Sequence, residues 1–82
     1  MLKLKPLHYF KTVVEKGSIS AASQVLFTAQ PPISKALLQL ESHWDLRLFE
    51  RTPRGMIPTD AGRYLYQRAS DLLQLAESIE GE

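Results

Sequence analysis

The sequence predicts one mainly α-helical domain of 82 residues, with a short β-hairpin and a long last helix. Three patterns indicate this fold class: apolar residues at helical spacing between Ile33 and Trp44, a Pro/Gly turn around Arg54, and apolar residues that repeat every seven positions after Thr59. A chain of this length buries one small core, so it has no room for a deep enzymatic pocket.

The first helix should run from Lys5 to Lys16, because Pro6 suits a first-turn position and Gly17 supplies a stop. Its apolar stripe consists of Leu7, Phe10, Val13 and Val14. Ser20 should cap a short second helix, and the turn that follows should fall between Phe27 and Ala29.

The third helix should have Ala29 or Gln30 as its cap and should end near Trp44. Pro31 and Pro32 then lie in the first turn, where a missing backbone N–H breaks no helical hydrogen bond. The apolar stripe of this helix consists of Ile33, Leu37, Leu40 and Trp44.

The opposite face of the third helix begins with Gln30, Ser34 and Lys35. These side chains offer hydrogen-bond donors, acceptors and a positive charge, while the apolar stripe anchors the rear of the helix in a core. That combination is what a recognition helix needs in a DNA major groove. Together with the short second helix and the turn, it predicts a helix-turn-helix.

A short hairpin should follow, because apolar residues flank the turn sequence Glu-Arg-Thr-Pro-Arg-Gly. Arg51 and Arg54 flank or occupy the turn, so the hairpin resembles a wing that could place a guanidinium in a minor groove or on a phosphate. The alternative is two solvated arginines on a loop. The wing completes a predicted winged helix-turn-helix of three helices and a hairpin.

Thr59 should cap the last helix, which should continue to about Ile79. Large apolar and alanine residues share one face of it in a coiled-coil-like repeat, which consists of Leu65, Ala69, Leu72, Ala76 and Ile79. We interpret this face as a homodimer seam. The alternative is an amphipathic helix that packs on its own domain.

The net charge of +1 is unevenly distributed along the chain. Residues 1–58 contain eight basic and four acidic residues, a balance of +4, whereas residues 59–82 contain two basic and five acidic residues, a balance of −3. We therefore divide the chain into a DNA-binding domain at 1–58 and a linker helix for dimerisation at 59–82.

Several other function classes are disfavoured by composition. The absence of cysteine excludes disulfides and thiol catalysis and fits a reducing cytoplasm. His8 and His43 are far apart, and no nucleophile with a base, phosphate loop or metal-ligand cluster is evident, so we expect no enzyme activity and no cofactor or metal. We also expect no membrane association, since no span approaches transmembrane length. RNA binding is less favoured by the sequence. The main alternative to DNA binding is a protein-interaction module built on the last helix.

Several motifs occur in one order: Leu-His-Tyr-Phe, Gly-Ser-Ile-Ser-Ala-Ala, Ala-Gln-Pro-Pro-Ile-Ser, Gln-Leu-Glu, Leu-Phe-Glu-Arg-Thr and Pro-Thr-Asp-Ala-Gly. In this order they resemble the N-terminal domain of LysR-type transcriptional regulators over essentially the whole chain. The resemblance implies a bacterial regulator that binds a pseudo-palindromic operator as a dimer, with the recognition helix in the major groove and the wing in the minor groove. It also implies a C-terminal domain, absent from this chain, that binds a small-molecule effector.

The resemblance also implies roles for individual residues. The family's groove-facing segment matches Gln30, Pro31, Pro32, Ser34 and Lys35. Arg54 matches the wing-tip position, and Arg51 matches the basic residue after Leu-Phe-Glu. Ser20 and Thr28 are candidate phosphate contacts, with a cap or turn role as the alternative for each.

The chain departs from the family pattern at four positions. Leu38 stands where a polar or basic residue is frequent, which leaves contact with a thymine methyl in place of a phosphate contact. Asp45 replaces a usual Gly, and Ala29 replaces a common Ser or Thr. Lys35 replaces a more frequent Arg and so loses a planar hydrogen-bonding fork.

Overall fold

The computed structural model of the protein describes residues 3–80. Its elements, in chain order, are α1 (Leu4–Lys16), α2 (Ile19–Leu26), α3 (Gln30–Trp44), β1 (Phe49–Thr52), β2 (Gly55–Pro58) and α4 (Asp60–Glu80). β1 and β2 form a two-stranded antiparallel hairpin. The predicted fold class, a mainly helical winged helix-turn-helix with a long last helix, is confirmed.

The helix α1 begins one residue before the predicted start and ends where predicted, at Lys16. Gly17 adopts the left-handed conformation with φ 83°, and its N–H donates to the Val13 carbonyl over 2.8 Å. Leu7, Phe10 and Val13 are almost completely buried, so α1 forms the centre of the core.

The cap of α2 is Ser18, so the prediction of Ser20 as the cap was wrong. Ser18 has an extended backbone, and its hydroxyl accepts a hydrogen bond from the Ala21 N–H over 3.0 Å. Ser20 already lies inside the first turn of the helix. Its hydroxyl therefore cannot act as the cap, and the side chain is exposed.

The turn between α2 and α3 lies between Phe27 and Ala29, as predicted. Phe27 takes the left-handed conformation with φ 53°, and Thr28 N–H donates to the Ser23 carbonyl over 3.1 Å. Ala29 is the cap of α3, as one of the two predicted alternatives, and it makes no side-chain cap bond.

The helix α3 ends at Trp44, and Asp45 follows in the left-handed conformation with φ 53°. Three positions of the predicted stripe, Ile33, Leu37 and Leu40, are buried. Trp44 is 37% exposed, because the last turn of the helix extends past the core. The predicted stripe was therefore right at three of four positions.

The core is closed by residues that follow α3. Leu48 and Phe49 are buried, and the Phe49 ring packs against the Phe10 ring with centroids 5.4 Å apart. Glu41 Oε2 accepts a hydrogen bond from the Leu48 N–H over 2.7 Å. This bond holds the segment that leads into β1 against α3.

The turn end of the hairpin is fixed to the junction between α1 and α2. Met56 N–H donates to the Gly17 carbonyl over 2.9 Å. Gly55 has φ 125°, and a Cβ at this position would lie 2.5 Å from the Gly17 oxygen. Only glycine lets the two backbones approach this closely.

Thr59 caps α4, as predicted. Its hydroxyl accepts from the Gly62 N–H over 3.1 Å and donates to the Arg47 carbonyl over 2.6 Å. Ala69, near the middle of α4, is 2% exposed and belongs to the core. The first half of α4 is therefore built into the domain. Of the helices within residues 3–80, none has the length and apolar character needed to cross a membrane.

Candidate nucleic-acid interface

The first turn of α3 offers few backbone donors to an anion. Pro31 and Pro32 follow Gln30, so two of the first three helical residues carry no N–H. Where a helix N-terminus binds phosphate, backbone N–H groups usually make the contacts. Contacts from this end must therefore come from side chains.

The side chains of α3 divide into two opposite faces. The buried face consists of Ile33, Ala36, Leu37 and Leu40. On the other side Gln30 and Lys35 are exposed and Ser34 is half-buried. Lys35 makes no ion pair with any other residue between 3 and 80, so its charge is available to a ligand. The structure thus brings the predicted groove-facing residues onto one accessible surface, with Pro31 and Pro32 also exposed.

The turn of the hairpin is held by Thr52. Its hydroxyl donates to the Gly55 carbonyl over 3.0 Å and accepts from the Arg54 N–H over 3.1 Å. These bonds fix the backbone of the turn, while the Arg54 side chain remains exposed. Arg54 therefore extends from a constrained support.

Arg51 is exposed on β1, opposite Met56 in the antiparallel register. Neither Arg51 nor Arg54 makes an ion pair with another residue in the described part of the chain. Arg47, by contrast, pairs with Glu50 at 3.5 Å. Two guanidinium groups on the hairpin are thus available for phosphate or for a minor groove.

The two predicted phosphate contacts near helix starts have different surroundings. Ser20 is exposed on the first turn of α2. The Thr28 hydroxyl donates to the Leu26 carbonyl over 3.0 Å, so its proton stabilises the turn. Thr28 could contact a phosphate as a donor only by giving up this bond. Both assignments stay predictions.

The face of α4 that we interpreted as a dimer seam is not uniformly free. Ala69 is in the core, and Leu65 and Leu72 pack against the core while remaining partly exposed. Ala76 is half-buried, and Ile79 is 71% exposed. On this face of α4, the apolar side chains are therefore only partly exposed in the first half of the helix and become more exposed toward its end.

The exposure of the Phe27 side chain was not predicted from the sequence. Phe27 is 96% exposed in the turn between α2 and α3, in a conformation that suits Gly or Asn better than an aromatic residue. The predicted turn between Phe27 and Ala29 was the signal in the sequence for a surface position, because connecting segments run over the surface of a protein.

Comparison with known proteins matches residues 4–63 to the family described as bacterial regulatory helix-turn-helix protein, lysR family. The chain belongs to the LysR family. This confirms the resemblance that the motifs predicted.

Other LysR proteins are similar over nearly the whole chain. The nitrogen assimilation regulatory protein Nac of Klebsiella aerogenes is 39% identical over 79 residues, which are 96% of this chain and 26% of that protein. The chain thus spans about a quarter of the length of this relative. The HTH-type transcriptional regulator ClcR of Pseudomonas putida is 40% identical over 93% of the chain and 26% of its own length.

The fold is also that of solved LysR domains. The structure of a CbnR DNA-binding domain in complex with DNA is similar with a TM-score of 0.91 at 34% identity, over 98% of this chain and 92% of that one. A BenM DNA-binding domain in complex with catB site 1 DNA has a TM-score of 0.93 at 35% identity, over 98% of this chain and 89% of that one.

Proposed function

We propose that the chain binds duplex DNA sequence-specifically, as the DNA-binding part of a bacterial LysR-type transcriptional regulator. The observation that carries this proposal is the accessible surface of α3, where Gln30, Ser34 and Lys35 lie outside the buried face of the helix. The similarity to LysR domains solved with DNA supports the same function. In this arrangement α3 enters the major groove, and the hairpin contacts the adjacent minor groove.

The proposed contacts divide into readout and positioning. Gln30 pairs with an adenine edge, and Lys35 contacts guanine or phosphate. Ser34, Pro31 and Pro32 approach the same groove. Arg54 and Arg51 position the protein on the minor groove or the backbone, and Ser20 and Thr28 are further phosphate contacts.

We propose that two chains associate through α4, so that residues 1–58 bind DNA and residues 59–82 link and dimerise. The terminal residues 1, 2, 81 and 82 of these two ranges lie outside the described structure. Leu72, Leu75 and Ile79 follow one another at i, i+3 and i+7 and form an accessible apolar strip. A two-fold dimer would place two α3 helices on a pseudo-palindromic operator, about one helical turn apart or a multiple of it.

The relatives that match the chain are about four times as long as the chain. We propose that a C-terminal domain binds a small-molecule effector and that the protein works in the cytoplasm. The relatives are named as regulators. In the proposed function the chain itself catalyses no reaction and needs no cofactor.

The test is binding to a pool of random 30-bp duplexes, followed by measurement of affinity for the selected sequence at increasing salt. Each neutralised phosphate contributes a log–log slope of about −0.9, so binding should weaken steeply. Arg51→Gln should make the slope less steep by roughly 0.9 for each protomer, whereas Lys3→Gln, an exposed change at the start of α1, should leave it unchanged. Failure to enrich any sequence, or binding that does not respond to salt, would contradict the proposal.

A further inference from the structure

Leu38 is an exposed aliphatic side chain on α3 beside polar neighbours. Leu38 is 58% exposed and follows Lys35 by three residues and Ser34 by four. Side chains at these spacings are neighbours on a helix surface. The row that lies directly opposite the buried stripe consists of Pro31, Lys35, Leu38 and Ser42.

The core does not require an apolar residue at this position. Leu38 belongs neither to the buried cluster nor to the partly buried residues that pack on it. A single exposed leucine is common on protein surfaces. Leu38 differs from such residues because it belongs to the row of α3 that would face the base edges in the proposed function.

The place of Leu38 between α3 and the hairpin fits a DNA strand. An open cleft of about 640 Å³ lies between α3 and the hairpin, and both Leu38 and Arg51 line it. A DNA strand that separates a major groove occupied by α3 from a minor groove occupied by the hairpin would cross this cleft. Arg51 would then meet the phosphates of the strand while Leu38 faces its bases.

Acidic residues also line the cleft, but two of the three are engaged within the protein. Glu41 accepts the hydrogen bond from Leu48 N–H, and Glu50 pairs with Arg47. The third, Asp45, follows the last turn of α3, about 10 Å along the helix from Leu38. The end of the cleft near Leu38 is therefore compatible with a phosphate backbone.

We propose that Leu38 reads the 5-methyl group of a thymine in the major groove of the operator. The inference rests on the proposed function and adds a specificity-determining residue to it. A leucine cannot hydrogen-bond to a base edge, and the thymine methyl is the apolar group that the major groove presents. Leu38 lies about 6 Å along α3 from Ser34, so we expect it to face a different base pair from Ser34.

The experiment replaces each thymine of the duplex selected from the random pool by uracil, which lacks only the methyl group. Affinity is measured for the 82-residue chain and for its Leu38→Ala variant. Loss of one methyl contact corresponds to about a fourfold weaker affinity. We expect one uracil in each half-site to cause this loss in the unmodified chain and to cause none in Leu38→Ala.

The controls separate a methyl contact from altered folding. Circular dichroism should be unchanged in Leu38→Ala, because the side chain is mostly outside the core. Leu38→Val retains a branched apolar group and should keep part of the uracil effect. Leu4→Ala, which truncates a leucine that is 41% exposed on α1, should keep the complete effect.

Two outcomes overturn the inference in distinguishable ways. If every uracil weakens binding equally in the unmodified chain and in Leu38→Ala, Leu38 reads no methyl group although the chain binds DNA. If the unmodified chain enriches no duplex, the proposed function is wrong and the inference is wrong with it.

Discussion

The hydroxyl of Tyr66 on α4 donates a hydrogen bond to Glu15 Oε2 on α1 over 2.7 Å. Lys11 Nζ lies 3.2 Å from the same oxygen. The hydrogen bond from Tyr66, followed by the nearby Lys11, lowers the pKa of Glu15, although partial burial opposes this. The same hydrogen bond raises the pKa of Tyr66. These groups join α4 to α1 at the surface.

This pair predicts a pH dependence of stability. Because the pKa of folded Glu15 is below its ordinary value of 4.5, its stabilising contribution is present above that pH and is lost as the pH falls through the folded pKa. Tyr66→Phe should lower the free energy of unfolding at pH 7 by about 0.5–1 kcal/mol, since the bond is partly exposed. It should also flatten the acid side of the stability profile.

Urea unfolding at several pH values, with an NMR titration of the Glu15 carboxyl, measures both effects. In Tyr66→Phe the pKa of Glu15 should rise only part of the way to its ordinary value, because Lys11 remains. Tyr64→Phe is the matched control, since this tyrosine is 68% exposed on the same helix. An unchanged Glu15 titration in Tyr66→Phe would contradict the prediction.

Gln30→Ala and Arg54→Ala should alter DNA binding in different ways. Gln30→Ala should cost roughly 1–3 kcal/mol on the selected duplex and relax discrimination at one base pair. Arg54→Ala should weaken binding through the minor groove or the backbone. Affinities for all single-base variants of the duplex measure this difference. Gln67→Ala, on the exposed surface of α4, is the control, and uniform losses in both variants would show that Gln30 is not a readout residue.

Ile79→Glu should dissociate the proposed dimer without unfolding the domain, because Ile79 is 71% exposed and outside the core. Sedimentation should show a monomer while circular dichroism is unchanged, and DNA affinity should fall toward that of one half-site. Leu72→Glu is a poorer test than Ile79→Glu, since Leu72 packs against the core.

Gln74→Glu introduces the same charge at an exposed position away from the strip and should leave the mass unchanged. A dimer that persists in Ile79→Glu would mean that another surface holds the two chains together.

Gly55→Ala should destabilise the domain more than Gly17→Ala. Both glycines have positive φ, so alanine is strained at each; in the left-handed region of Gly17 this strain costs about 1–2 kcal/mol. At Gly55 the new Cβ would also clash with the Gly17 carbonyl, whereas at Gly17 nothing lies within 4 Å. Chemical denaturation of both variants makes the comparison. An equal loss of stability would show that the wing can move away from α1 at no cost.

Local signals made most of the fold predictable. The proline and glycine at the ends of α1, the first-turn prolines of α3 and the Thr59 cap each mark a boundary through backbone chemistry alone. The cap of α2 was mispredicted because Ser18 and Ser20 are both suitable residue types. Their backbone conformations, which the sequence does not reveal, decide between them.

Long-range contacts were harder to predict than boundaries. Glu15 and Tyr66 are 51 residues apart, and no local pattern pairs them. The repeat on α4 indicated an apolar face but not what covers it, and the structure places Ala69 against its own core. The exposed residues of α3 were easier to identify, because a buried stripe on one side of a helix determines the opposite side.

Because Ala69 is buried in the core, a change of helix direction at this residue would displace the second half of α4. The eleven residues from Ser70 to Glu80 extend about 16 Å beyond Ala69, and of these Leu72 still packs against the core. A tilt of about 5° at Ala69 would move the far end of the helix by roughly 1.4 Å, which is enough to change how side chains interlock across an interface. A substitution that enlarges Ala69 would therefore alter the spacing between the two domains of the proposed dimer without changing a residue that we propose contacts DNA.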